Sequence, residues 1–394
     1  MSDDHSNPRR GYARRDVLRI GAAVAAASGL GLSGLVGTAA GTEEKSDAIP
    51  IDGPTVITEP GYYVLTKDLV AKNGGTLIRV ESGVPDVTID GQGYHIKGAE
   101  KGIDIGDYLD PVTPNAIVKN VIVTGCSVGI ELEDTDMARV HNVKVTHCDQ
   151  GFWLQQNRDL TISDSIVAKN GVAFFQDEGS PRIALLRNRI TRNESVGGFD
   201  FARDAVIKDN RVDYNNSELS LTNSTGSSVV GNLFYQNRSG FDISTDDGAG
   251  GDSLVRGNRF IENERYGISV IARDARIANI LIEENDVFRN GDAGIHLYDN
   301  VERSTLSKNR VIGNSGDGIL LIRSNDNELV GNLIRQNGGD GIELRSSDNN
   351  VVRNNIIREN GDLPIRIDED SVGNVVEDNQ IGDDAPDTCR IPEK

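Results

Sequence analysis

The sequence predicts an all-β fold, a solenoid of parallel strands stacked coil on coil. Three observations carry that prediction. A unit of about 21–27 residues recurs from about residue 118, with two asparagines five residues apart followed by a Gly-apolar-x-apolar step. The apolar residues of that step (Ile268/Val270, Ile295/Leu297, Ile319/Leu321, Ile342/Leu344) alternate with polar ones at period two, the period of a strand. No helical period runs through the unit. One unit cannot bury its apolar side alone, so it stacks on its neighbours, with coils about 4.8 Å apart.

The chain begins with a segment that is read as targeting rather than structure. Arg14 and Arg15 precede a Gly/Ala-rich apolar run from Ile20 to about Ala40, the form of a twin-arginine export signal. The run is weakly hydrophobic and rich in small residues, which favours cleavage over a membrane span. The expected organisation is a signal over 1–40, a polar linker over 41–49, the solenoid over 50–382 and a tail over 383–394. The mature chain is expected outside the cytoplasm, secreted or at the cell surface, as a monomer with no membrane span.

Composition narrows the partners. The formal charge is −20, from 41 basic and 61 acidic residues. Nucleic acids and anionic membranes require a basic face, so neither is expected as a partner. Arginine outnumbers lysine and acid is spread along the whole chain, a composition suited to high salt. Three cysteines do not make a disulfide scaffold in a chain of this length. Cys126 and Cys148 occupy the second-asparagine position of consecutive coils, and a stack of reduced thiols is favoured there. Asn223 is the accessible Asn-x-Ser/Thr site.

The asparagines themselves read as structural. The first of each pair is Asn188, Asn210, Asn232, Asn258, Asn285, Asn309, Asn332, Asn355 or Asn379. The second is Asn193, Asn215, Asn237, Asn263, Asn290, Asn314, Asn337 or Asn360. Corners of a coil leave backbone groups unpaired. Asparagine tolerates left-handed backbone angles, and its amide can donate to the carbonyl of the next amide in a ladder. Gly-Asp-Gly, as at 316–318, is expected to supply a tight corner.

Two early segments, "TVITEPGYYVLTKDL" (Thr55 to Leu69) and "VTIDGQGYHIKG" (Val87 to Gly98), carry a family likeness. With the repeat, they resemble the right-handed parallel β-helix of the pectate-lyase type, in particular the carbohydrate-binding and sugar-hydrolase repeat class and its NosD-type members. The resemblance implies a right-handed coil. It also brings in polysaccharide lyases, hydrolases and mannuronan epimerases. Their hallmarks are missing: there is no Gly-His-Gly and no Asp-Pro-His-Asp, and "GFDFARD" (Gly198 to Asp204) has the outline of the latter without the histidine. NosD-type proteins are described as copper-binding. Five histidines, three cysteines and two methionines without ligand spacing do not favour copper here.

Candidate chemistry then rests on geometry. The x residue of each Gly-apolar-x-apolar strand points outward, which lines up Glu131, Trp153, Asp200, Ser220, Asp242, Ser269 and His296. The next outward column includes Gln155, Ser244 and Tyr298. An aromatic platform beside carboxylates and a proton carrier is the composition of a sugar groove. Asp200, Asp242, His296 and Tyr298 are the expected catalytic groups, and Trp153 and Arg273 the expected substrate contacts. Insertions at Thr245–Ser253 and Ile271–Asn279 occupy the same place in consecutive coils and flank this column; another lies at Gln176–Arg182. Asp246, Asp247 and Asp252 offer hard oxygen ligands that suit calcium. The expected function is binding or processing of an extracellular polysaccharide, as a lyase or hydrolase of acidic glycans. The alternatives are a non-catalytic binding or structural surface protein, and a NosD-type accessory factor for an extracytoplasmic metalloenzyme.

Overall fold

The computed structural model describes residues 48–382, apart from 73, 109, 110, 247 and 274. The expected signal segment, the tail and Asp247 therefore lie outside the described residues. Every strand pairing is parallel, and among the described residues there is no helix. The chain winds as a right-handed parallel β-helix with three faces.

One coil shows how. Val206–Lys208 lies on face 1, Arg211–Asp213 on face 2 and Leu219–Thr222 on face 3, and Ser228–Val230 returns to face 1. Face 1 is a 15-stranded sheet and face 2 a 14-stranded sheet. Face 3 is split into a six-stranded sheet ending at Val172–Gln176 and an eight-stranded sheet starting at Gly197–Asp200. The register gives the coil length. Val118 pairs with Val140, a step of 22, and Val255 pairs with Ile282, a step of 27. The step from Ile89 to Val118 is 29, longer than the repeat suggested, because the chain adds the short strand Thr113–Pro114 between Ile105 and the return to face 1.

Alternation sends Ile207, Val212, Leu219 and Leu221 inward, where all are buried. Identical positions stack coil on coil, so the core is a set of columns. Phe234 lies 4.9 Å from Phe260 with rings 3° from parallel, and Phe152 lies 5.4 Å from Phe174. Phe199 and Phe241 fill the same interior. Phe201 is instead 47% exposed, because the chain leaves the strand at Asp200 and turns outward with φ 49° at Phe201.

The asparagine ladders are present at both corners. Asn332 shows the repeating unit. Its Nδ2 donates to Leu306 O at 2.8 Å and to Asn355 Oδ1 at 2.9 Å, and its backbone N–H donates to the same Oδ1 at 2.9 Å. Asn332 Oδ1 in turn accepts from the N–H and Nδ2 of Asn309. Asn188 to Asn379 form the first ladder. Asn170 to Asn360 form the second, and Cys148 N–H donates into its top at 3.0 Å. Cys126 and Cys148 are free, buried thiols at that corner. A third ladder of Ser304, Asn327, Asn350 and Asn374 closes the corner between faces 3 and 1.

Two local expectations change. The left-handed residue is the one before each ladder asparagine, such as Asp209 (φ 55°) or Tyr214 (φ 58°), not the asparagine. The preceding residue makes the turn, which leaves the asparagine side chain pointing inward to its partners. The Gly-Asp-Gly glycines have no positive φ. Gly318 is required by close packing instead: a Cβ there would lie 2.5 Å from Gly341 O.

Candidate functional site

Face 3 carries the outward side chains that the sequence singled out. In its C-terminal half the register runs Ser220, Asp242, Ser269, His296, Leu320. Asp242 and His296 thus share a column two coils apart, on the order of 10 Å. Tyr298 stands in the neighbouring outward column, with Ser244 and Ile271.

Asp200 does not join Asp242. It pairs with Thr222, which pairs with Ser244, so it stands in Tyr298's column. Gly197, at φ 82°, opens the strand, and Gly198 faces Ser220 and Asp242 instead of aligning with Gly240. Asp200 Oδ1 also accepts from Asn223 Nδ2 at 2.9 Å and from the Phe201 N–H at 3.0 Å, a structural use. The Gln176 amide bridges the break in face 3, accepting from Asp200 N–H at 2.9 Å and donating to Asp200 O at 3.1 Å.

His296 is buried, and neither ring nitrogen has a hydrogen-bond partner. Its ring stacks on Tyr266 at 4.7 Å and lies 5.6 Å from Tyr298. Arg265 sits over Tyr266, and Arg323 sits over Tyr298 while donating to its hydroxyl at 2.7 Å. Burial pushes the imidazole down to about 4; Asp292 opposes, and Arg265 and Arg345 add to the depression. The ring is therefore neutral at neutral pH. Asp242 is half-buried, and burial pushes its carboxyl up to about 6 against the nearby Ser269 and Ser244 hydroxyls, with the Glu218 carboxylate adding to the rise. Asp242, not His296, is the group here that titrates near neutrality, as a general acid or base requires. Glu218 precedes the strand at the glycine position of the repeat, and the sequence reading missed it.

Of the expected calcium ligands, Asp246 and Asp252 lie among the described residues, and each already has a partner. Asp246 pairs with Arg273 at 3.1 Å, which also occupies the cation expected to touch substrate. Asp252 accepts from Asn279 Nδ2 at 2.9 Å. Among the described residues, the carboxylates within common ligand reach are Asp317, Asp340 and Glu343. Burial raises Asp317 to about 7, with Glu343 adding to the rise. Arg366 pairs with Asp340 and Arg345 with Glu343, so guanidinium groups already answer two of these carboxylates.

The N-terminal half of face 3 holds a second group that the sequence reading only touched. Arg79, Asp104, Glu131, Trp153 and Phe175 form one column, and Glu133 and Gln155 stand beside it. Asp104, Glu131, Glu133 and Gln155 are all buried. Lys101 Nζ lies 2.7 Å from Glu131 and 3.5 Å from Asp104, and Arg79 bridges Asp104 and Asp107 at 2.9 Å each. Burial, and then Glu131, pushes Glu133 up to about 7. Trp153 packs against Phe175, with ring centroids 4.7 Å apart and planes tilted by 44°. Tyr108, from the long coil, donates to Glu178 at 2.9 Å along the edge of this face.

Buried polar side-chain atoms without a partner concentrate on this side. Five of the twelve among the described residues belong to Trp153, Glu218, Ser269 and His296, all on or at the edge of face 3, while Asp104 Oδ1 faces Lys101 Nζ at 3.5 Å and Glu131 has the Glu133 carboxyl as a neighbour. Each such atom costs on the order of 1–3 kcal/mol.

The fold is shared with known proteins. A family profile described as "Periplasmic copper-binding protein (NosD)" matches residues 61–250 and 248–385. This chain belongs to the NosD family. Among solved structures, the periplasmic alginate epimerase AlgG is similar, at 13% identity over 81% of this chain and 77% of that one, with a TM-score of 0.51. A single-site variant of AlgG gives 14% identity over 79% and 78%, with a TM-score of 0.55. The A-module of the Azotobacter vinelandii mannuronan C-5 epimerase matches at 17% over 79% and 90%, with a TM-score of 0.43. At such identities the likeness is one of fold. A comparison with curated protein sequences gives no match.

The NosD description names copper, and the donor set can be tested against it. Copper takes imidazole, thiolate or thioether ligands. His95 lies on face 2, His141 on face 1 and His296 on face 3, while His147 and the two thiols lie at a corner. Among the described residues, no three-residue group within ligand reach contains a histidine or a cysteine. The described residues therefore assemble no centre of three such copper ligands.

Proposed function

We propose that this NosD-family protein is exported and binds and processes an extracellular polysaccharide laid along face 3. The observation that carries the reading is the concentration of buried, unpartnered polar atoms on that face, with both nitrogens of His296 at its centre. A polysaccharide supplies rows of hydroxyls that donate and accept, and rings that stack on Tyr266, Tyr298 and Trp153. Asp242 is the acid-base group, near enough to neutrality to hold or release a proton. His296, neutral and unbonded, orients a hydroxyl or ring oxygen beside it. The periplasmic names of NosD and AlgG support a place outside the cytoplasm, and Arg14-Arg15 supports the twin-arginine route.

The test is a panel of neutral and acidic glycans in molar salt, read for binding and for new reducing or unsaturated ends. Asp242→Asn should remove turnover and keep binding. His296→Ala should weaken both. Turnover undiminished in Asp242→Asn would remove Asp242 from the chemistry, and a protein that neither binds nor cleaves any glycan would end the reading.

A further inference from the structure

Along one column, Trp153 and His296 are six coils apart. Phe174 N–H donates to Val196 O, which sets Phe175 opposite Gly198 and joins the two halves of the column across the break. The separation is roughly 30 Å, so the N-terminal group cannot act on the same sugar unit as Asp242 and His296. We infer that Glu131, Glu133, Trp153 and Gln155 form a second saccharide site that takes a neutral, hydroxyl-bearing sugar unit. The inference rests on reading face 3 as a glycan-binding face.

The four side chains make a two-by-two array. Glu131 is opposite Trp153 and Glu133 is opposite Gln155 in consecutive coils. Glu131 is 4% exposed and its carboxylate has the Glu133 carboxyl as a hydrogen-bond neighbour, while the Trp153 Nε1–H, in the opposite position of the next coil, has no acceptor. Sugar hydroxyls both donate and accept, so they suit the indole N–H and the carboxyl pair alike. Trp153 and Phe175 add an aromatic surface, both half-buried, for a ring to lie on.

Charge sets the class of sugar. The two cations of the site are already used: Lys101 by Glu131 and Asp104, and Arg79 by Asp104 and Asp107. A uronate would bring its carboxylate against these acids with no cation to receive it, in surroundings where like charges repel strongly. A neutral unit meets no such barrier. This narrows the acidic-glycan expectation at this end of the groove.

The chain has one tryptophan, so Trp153 emission reports this site without a label. The full chain is titrated in molar salt with mannohexaose, cellohexaose and xylohexaose, and separately with hexamannuronate and hexagalacturonate. At least one neutral hexaose should shift the emission saturably, and the uronates should leave it unchanged. Glu131→Gln should weaken the neutral ligand by about tenfold or more, since it replaces a charged acceptor. Silence with all three neutral hexaoses overturns the inference, and so does a response to a uronate equal to or stronger than that to the neutral sugars. Both readings come from the wild type and do not depend on how any variant folds. Silence of Trp153 alongside altered glycan binding in the Asp242 or His296 variants removes this site and leaves the proposed function standing.

Discussion

The corner ladders and face 3 both stack polar side chains coil on coil, and both are buried, but they differ in bonding. Within the ladders an asparagine fills its donors and its acceptor from the coils on either side, as Asn332 does with Asn309, Leu306 and Asn355, and only the terminal Asn360 keeps an unbonded Nδ2 among the described ladder residues. On face 3, His296 has two unbonded nitrogens, and Trp153 keeps an unbonded N–H. The difference teaches where the two kinds of burial belong. A row that completes its own hydrogen bonds stabilises the fold. A row left incomplete costs stability, a cost that a bound glycan would offset under the proposed function.

The largest expected effect breaks a ladder. Asn332→Ala leaves Leu306 O, Asn355 Oδ1 and the Asn309 donors short of partners. It should cost about 3 kcal/mol or more in denaturant unfolding. A loss below about 1 kcal/mol would mean that water or relaxation replaces the ladder.

Next comes the pH dependence of His296. Its folded pKa, about 4, lies below the ordinary 6.5. The unfolded chain therefore binds the extra proton first. The stability conferred by the neutral buried ring is complete above about 6.5 and is lost as pH falls towards 4, by on the order of 3 kcal/mol in all. His296→Gln does not titrate. The stability of wild type minus that of His296→Gln should fall across this window, and a difference independent of pH would show that the ring is solvated.

Asp242 carries the opposite sign. Its folded pKa, about 6, lies above the ordinary carboxylate value, so the ionised form costs stability as pH rises through 4 to 6. Asp242→Asn should gain about 2 kcal/mol at pH 8, allowing for partial exposure, and nothing at pH 4.

The repeat made the ladders legible, because a five-residue asparagine spacing survives any change in the loops around it. The third ladder was not legible: Ser304 stands where Asn327 and Asn350 stand in later coils, and loops of varying length blur the spacing. Alternation correctly sent Asp242, His296 and Trp153 outward on face 3. It could not show that an outward side chain is covered, so the burial of Asp104, Glu131 and Glu133 was hidden. Asp200 slipped by two residues because Gly198 imitates the repeat glycine while Gly197 makes the turn. Glu218 escaped because it occupies a glycine position.

The smallest expected effect is general. The charge of −20 repels itself along the stack of coils, and salt screens that repulsion. The unfolding midpoint should rise from about 0.1 M to about 2 M salt, for ladder and face 3 variants alike. A midpoint flat across that range would contradict the salt-adapted reading.

The contrast between completed and incomplete rows is tested most directly by unfolding Asn332→Ala and Asp242→Asn side by side at pH 8 in molar salt. Opposite signs are predicted, with the ladder variant less stable than wild type and the face 3 variant more stable. If Asp242→Asn is also destabilised, face 3 is part of the scaffold, and its polar row is not being kept for a ligand.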